Sequence, residues 1–127
     1  MTDQDVRAVV EAFWAAVGAG DWEAAARHLD PDFVQEWPQS GERIRGADNA
    51  LAIDRNFPGG MPSMRSRTVV SGGDLAVAET ELVYADGSRY VGVSVMELRD
   101  GRIVKETDYF AEPFAAPQWR AQWVERM

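Results

Sequence analysis

The hydrophobic period of this 127-residue chain changes at Pro58-Gly59-Gly60, and that change limits the folds open to it. Before it, apolar residues recur at helical spacing; after it, they alternate. Val6, Val9, Val10, Phe13 and Val17 mark the inner face of a helix over 3–18, with Thr2 and Asp5 spaced as a capping box ahead of them. Gly18 and Gly20 end that helix, and Asp21 is placed to cap a short second one whose inner face is Trp22, Ala25 and Leu29. Asp30-Pro31-Asp32 reads as a turn, after which 33–37 alternates as a strand stopped by Pro38 and the polar loop QSGER. A third helix is expected over 47–57, carrying Ala50, Leu51, Ile53 and Asp54 on successive turns, with Pro58-Gly59-Gly60 as its stop.

Strands are then expected at 65–71, 75–84, 88–98 and 102–110. The connections between them, Gly72-Gly73-Asp74, Ala85-Asp86-Gly87 and Arg99-Asp100-Gly101, are short and contain glycine, which suits hairpins and hence an antiparallel meander. A final helical turn or two is expected within 117–125. Helices segregated from hairpin-linked strands define an α+β fold, with the helices packed on one face of a curved sheet. A cavity can open between two such layers.

Composition narrows the function more than it names it. The length suits one core and one domain over 1–127, and 46% hydrophobic residues with five Trp supply that core. No stretch approaches the roughly 18 to 20 apolar residues that span a bilayer. The N-terminal MTDQDV is acidic and has no apolar run after it, so a cytoplasmic protein is expected. Zero cysteines exclude disulfides and thiol chemistry, and with one histidine a transition-metal site is not expected. A net charge of −8 without a basic patch argues against nucleic acid as a partner.

Two segments combine carboxylates and aromatics within strands: FVQEWP at 33–38 and KETDYFAEPF at 105–114. By alternation Glu79, Glu81 and Val83 share one face of their strand, and Glu106, Asp108 and Phe110 share one face of theirs, with Tyr109 opposite. Several carboxylates around one apolar space cannot all stay ionised and unpaired, and a raised pKa makes a carboxyl an acid or base near neutral pH. The plainer alternative is structural pairing with Arg55, Arg65 or Arg67. Trp14, Trp22, Trp37 and Phe110 supply either core packing or an apolar ligand wall. His28 falls at a helix end, and Gly59-Gly60 makes a turn that could cover a pocket.

The order of elements, with GAGDWEAAARHLDPDFVQEWP in the first half and DGRIVKETDYFAEPF in the second, resembles the nuclear transport factor 2-like superfamily, in particular its SnoaL-like branch. The resemblance covers nearly the whole chain. It implies a cone-like half-barrel whose helices pack on the concave side of a mainly antiparallel sheet, around a deep apolar pocket. It also implies a homodimer without cofactor, and it turns both acidic sets toward the cavity. The first segment is similar in spacing to ketosteroid isomerases, in which a Tyr donates to the oxyanion and an Asp before a Pro is the base. Phe13 and Trp37 stand at those two positions here. Asp108-Tyr109-Phe110 resembles the last-strand element of limonene epoxide hydrolases. Their Arg-x-Asp pair aligns with Glu79-Thr80-Glu81, so the acid is kept as Glu81 and the arginine is replaced.

The expectation from sequence is therefore a protein with a pocket for a small apolar molecule, capable of cofactor-independent acid-base chemistry of isomerase, hydrolase or cyclase type. Asp108 is expected as general acid or base and Glu81 as its partner, with Gln35 and Trp37 orienting the ligand. Phe13, Glu79, Glu106, Phe110 and Arg55 complete the expected contacts. The alternative is a non-catalytic ligand-binding or dimerisation module, with Val91, Val93 and Val95 facing a partner subunit. The alternative gains if Asp108 and Glu81 are fully paired to arginines and no cavity of about 300 Å³ or more is present.

Overall fold

The computed structural model describes residues 2–127, with the backbone alone at 69 and 70. Helix α1 spans Asp3–Ala19, and the expected box caps it: Asp5 N–H donates to Thr2 Oγ1, and Thr2 N–H donates back to Asp5. Gly20 closes it with a φ of 70°, a left-handed conformation that only a residue without Cβ takes at no cost. Helix α2, Trp22–Arg27, is capped by the Asp21 side chain, which accepts from Ala24 N–H. His28 caps its other end, and helix α3 runs Ala47–Arg55.

The strands are β1 Leu29–Trp37, β2 Glu42–Arg45, β3 Ser63–Gly72, β4 Leu75–Val83, β5 Arg89–Arg99 and β6 Arg102–Ala111. They form one curved, unclosed sheet in the order β2-β1-β6-β5-β4-β3. The meander from β3 to β6 is antiparallel throughout, as its glycine turns predict, and the parallel pair of β1 with β6 makes the sheet mixed. Helix α1 packs on β3 and β4, and α3 packs on β1 and β2. The α+β class and the cone-like half-barrel are as expected. The chain ends in a 3₁₀ helix, Gln118–Trp123, whose two Trp side chains are exposed. No helix among the described residues is long and apolar enough to cross a membrane.

Local structure departs from the sequence-based expectation at two places in β1 and β2. Asp30-Pro31-Asp32 is strand, not turn, and Leu29 belongs to β1. Arg99 Nη2 donates to Asp30 and to Asp32, each at 2.8 Å, which holds this segment against the end of β5. The register between β1 and β6 is irregular from Leu29 to Val34, so Pro31 sits where the ladder already lacks a bond. Part of the presumed loop QSGER pairs as β2, where only Ile44 is buried. One inward apolar residue in four leaves almost no period-two signal.

The paired register decides which face of each strand looks inward. Ala76, Ala78, Thr80 and Leu82 are the buried positions of β4, and Gly92, Ser94, Met96 and Leu98 those of β5. On the outer face, Val91, Val93 and Tyr109 form an exposed apolar stripe across β5 and β6.

Candidate active site

The helices and the inner face of the sheet line a cavity of about 110 Å³. This is smaller than the roughly 300 Å³ at the lower end of drug-sized ligand sites, so it fits a small molecule. Phe13, Trp14, Trp37, Phe57 and Phe110 contribute aromatic surface, and Leu29, Phe33, Leu51, Met64 and Leu82 contribute aliphatic or further aromatic surface. Asp54, Glu106 and Asp108 are the ionisable carboxyls in its wall, and the lining contains no Lys, Arg or His.

Alternation along β6 places Glu106 and Asp108 two residues apart on the inner face, both buried. The parallel register of β1 sets Gln35 directly beside Glu106, and Trp37 follows on the same face. Gln35 Nε2 donates to Asp108 at 2.7 Å and to Glu106 at 3.0 Å. Trp37 Nε1 donates to the same Asp108 oxygen at 3.0 Å, and Ser94 Oγ on β5 donates to the other at 2.6 Å. Three donors thus converge on Asp108, with no cation beside it among the described residues. A carboxylate offers about four acceptor positions, and the Glu106 carboxyl is a fourth hydrogen-bond partner of Asp108.

Glu106 contrasts with Asp108. Burial holds its carboxyl well above the ordinary carboxylate range, with the Asp108 charge as the next cause; the Gln35 hydrogen bond opposes both. The two form an unequal pair in which Glu106 retains the proton, because two carboxylates this close in an apolar site do not both ionise. Asp54 faces them from α3. Burial, followed by the charge of Asp108, pushes its carboxyl up to about 6.

Of the residues expected at the site, Phe13, Gln35, Trp37, Glu106, Asp108 and Phe110 line this cavity. Glu81, Glu79 and Arg55 do not. Thr80 and Leu82 occupy the inward positions of β4, which turns Glu79 and Glu81 to the outer face. There Glu79 pairs with Arg67 at 2.7 Å and Glu81 approaches Arg65 at 4.0 Å. The carboxyl that lines the cavity beside Asp108 is Glu106. Arg55 is exposed on α3, while its neighbour Asp54 takes the inward place. Glu36 also faces away from the cavity, bound to Arg43 at 2.7 Å and Lys105 at 3.1 Å, and these partners lower its pKa.

Sequence reading missed Asp54, Ser94 and Thr80 as site residues. Asp54 had a signal, since its spacing from Ala50 and Leu51 puts a carboxyl on an apolar helix face. Ser94 and Thr80 had none, being small hydroxyl residues in a strand. Gly92 is a further determinant of cavity shape. It is opposite Phe110, and a Cβ there would lie 3.2 Å from Phe110 Cδ1 and 3.3 Å from the Tyr109 carbonyl oxygen. Gly92→Ala is expected to push the Phe110 ring into the cavity. Denaturant unfolding should show a loss of about 1–3 kcal/mol, the usual cost of overpacking, together with weaker ligand binding.

The sequence model of the SnoaL-like domain matches residues 10–106. Among solved structures, a nuclear transport factor 2-like protein of unknown function from Burkholderia xenovorans is 38% identical, with a TM-score of 0.88 over 100% of this chain and 98% of that one. A protein provisionally assigned as a ketosteroid isomerase from Kribbella flavida is 30% identical, with a TM-score of 0.90 over 100% of this chain and 93% of that one. An epoxide hydrolase of the limonene epoxide hydrolase-like type from M. tuberculosis is 26% identical, with a TM-score of 0.68 over 87% and 84% of the two chains. No curated protein matches.

Proposed function

The chain belongs to the SnoaL-like domain family, and from that premise we propose that it is a cofactor-independent acid-base enzyme acting on a small, largely apolar substrate. One observation carries the reading: two buried carboxyls share the wall of an apolar cavity, one with its pKa held well above the ordinary carboxylate range and the other held by three donors. Asp108 takes a proton from the substrate or from a water molecule. Glu106 returns one to the atom where negative charge develops. Gln35 bridges the two carboxyls and fixes their spacing, while Trp37 and Ser94 hold the Asp108 rotamer. An apolar wall strengthens each of these interactions by excluding water.

The pair is not that of the ketosteroid isomerases it resembles, because Phe13 and Trp37 stand where their oxyanion donor and base are expected. It also lacks the arginine expected beside the acids of limonene epoxide hydrolases. The reaction is therefore defined by Asp108 and Glu106 alone. Deuterium uptake from heavy water into cyclohexanone, and opening of cyclohexene oxide, test it on substrates of suitable size. Acceleration of either by the folded protein supports the proposal. Binding of both without either reaction would instead support a non-catalytic binding module.

A further inference from the structure

The three carboxyls of the cavity differ in how far the protein already satisfies them. Asp108 receives three donors and Glu106 one, both from neighbouring strands. Asp54 has no hydrogen-bond or ion-pair partner among the described residues, although burial dominates its environment. A mostly buried carboxylate without a donor costs free energy that a ligand group can recover. The nearest basic residue in sequence, Arg55, is turned to solvent.

Two independent features define the group that suits Asp54. It sits in the last turn of α3, at the negative end of the helix dipole, which favours a cation. Phe57, three residues on, lines the same cavity with Trp14, Trp37 and Tyr84, and aromatic faces attract cations as well as apolar surface. The wall holds no positive side chain, so an anionic ligand has nothing to offset its desolvation.

We propose that the cavity takes a small, largely apolar amine, with its ammonium group on Asp54 and its apolar body against the aromatic wall. This deepens the reading of the cavity as a ligand site and rests on it. The ammonium and the Asp54 carboxylate each lower the other's cost of burial, more than the single neutral hydrogen bond of an alcohol can, while a carboxylate ligand adds repulsion.

Benzylamine, benzyl alcohol and benzoate share one ring of suitable size and differ in charge. Their binding to the full chain at 0.15 M salt can be followed by fluorescence of the cavity tryptophans and by ligand-observed NMR. Benzylamine is expected to bind about tenfold or more tighter than benzyl alcohol, equivalent to about 1.4 kcal/mol, and benzoate not at all. Asp54→Asn should bring benzylamine down to the level of benzyl alcohol, and Asp54→Glu should keep the preference. Equal binding of benzylamine and benzyl alcohol, or undiminished benzylamine binding by a folded Asp54→Asn protein, would overturn the amine assignment while leaving the cavity a ligand site. Failure of all three probes to bind would overturn both.

Discussion

Asp108→Asn is expected to reduce turnover by about 10² to 10⁴-fold, the usual contribution of a positioned acid or base, while the protein melts no lower than the wild type. The expectation of unchanged stability follows from the donor pattern. Gln35 Nε2 and Trp37 Nε1 both donate to the same Asp108 oxygen, which the Asn carbonyl can replace. Ser94 Oγ meets the other oxygen, where the Asn amide stands instead, and a hydroxyl can rotate to accept from it. The substitution also removes a buried charge that raises the pKa of both Glu106 and Asp54. Asp108→Ala differs, since it leaves three donors unsatisfied at about 1–3 kcal/mol each and is expected to destabilise the fold. The exchange assay with thermal melting checks both. Wild-type turnover in Asp108→Asn would remove Asp108 from the chemistry.

Stability is expected to fall as pH rises from about 5 to 8, opposite to the usual behaviour of carboxylate-rich proteins. Asp54 and Glu106 bind their protons more tightly in the folded than in the unfolded chain. Such groups contribute stability that is fully present below the unfolded pKa and is lost as pH rises through the folded one. For Asp54 the window runs from 3.8 to about 6, and the loss is on the order of 3 kcal/mol. Glu106 adds in the same direction over a window that extends higher. Asp5, Asp30, Glu36 and Asp86 act oppositely: their lowered pKa values give stability that is lost as the medium becomes acidic, below about pH 4. A maximum near pH 4 follows. In a domain of this size the melting temperature should then fall by about 10 °C by pH 8. Asp54→Asn should flatten the slope, and a melting temperature that rises from pH 5 to 8 would refute the assignment of these carboxyls.

The elements were legible in sequence because their local signals agree: the Thr2-Asp5 box, the Asp21 cap and the glycine turns each act within a few residues. What alternation cannot decide is which of two strand faces is inward. It grouped Glu79 with Glu81 and Glu106 with Asp108 correctly, yet only pairing relates one group to the other. Glu79 is opposite Val93, and Val93 opposite Tyr109, so all three share a face. Since Tyr109 was read as outward, a consistent register would have turned Glu79 and Glu81 outward as well. The resemblance to an Arg-x-Asp element pulled them inward, although Arg65 and Arg67 on β3 sit opposite them as ordinary cross-strand partners. Glu106 was recognised as a pocket residue but not as the partner of Asp108. The pairing depends on Gln35, whose place beside Glu106 comes from a parallel crossover that no local pattern encodes.

The central claim is that Glu106 and Asp108 form one unequal pair, with the proton on Glu106. The most direct measurement is NMR titration of the side-chain carboxyl carbons, with Glu106 assigned by comparison with Glu106→Gln. The account predicts that the Glu106 carbon keeps its protonated shift throughout the range in which free glutamate side chains ionise, near 4.3. In Asp108→Asn its transition should move downward, because the Asp108 charge raises it. A Glu106 that ionises within the ordinary glutamate range, with no response to Asp108→Asn, would contradict the account.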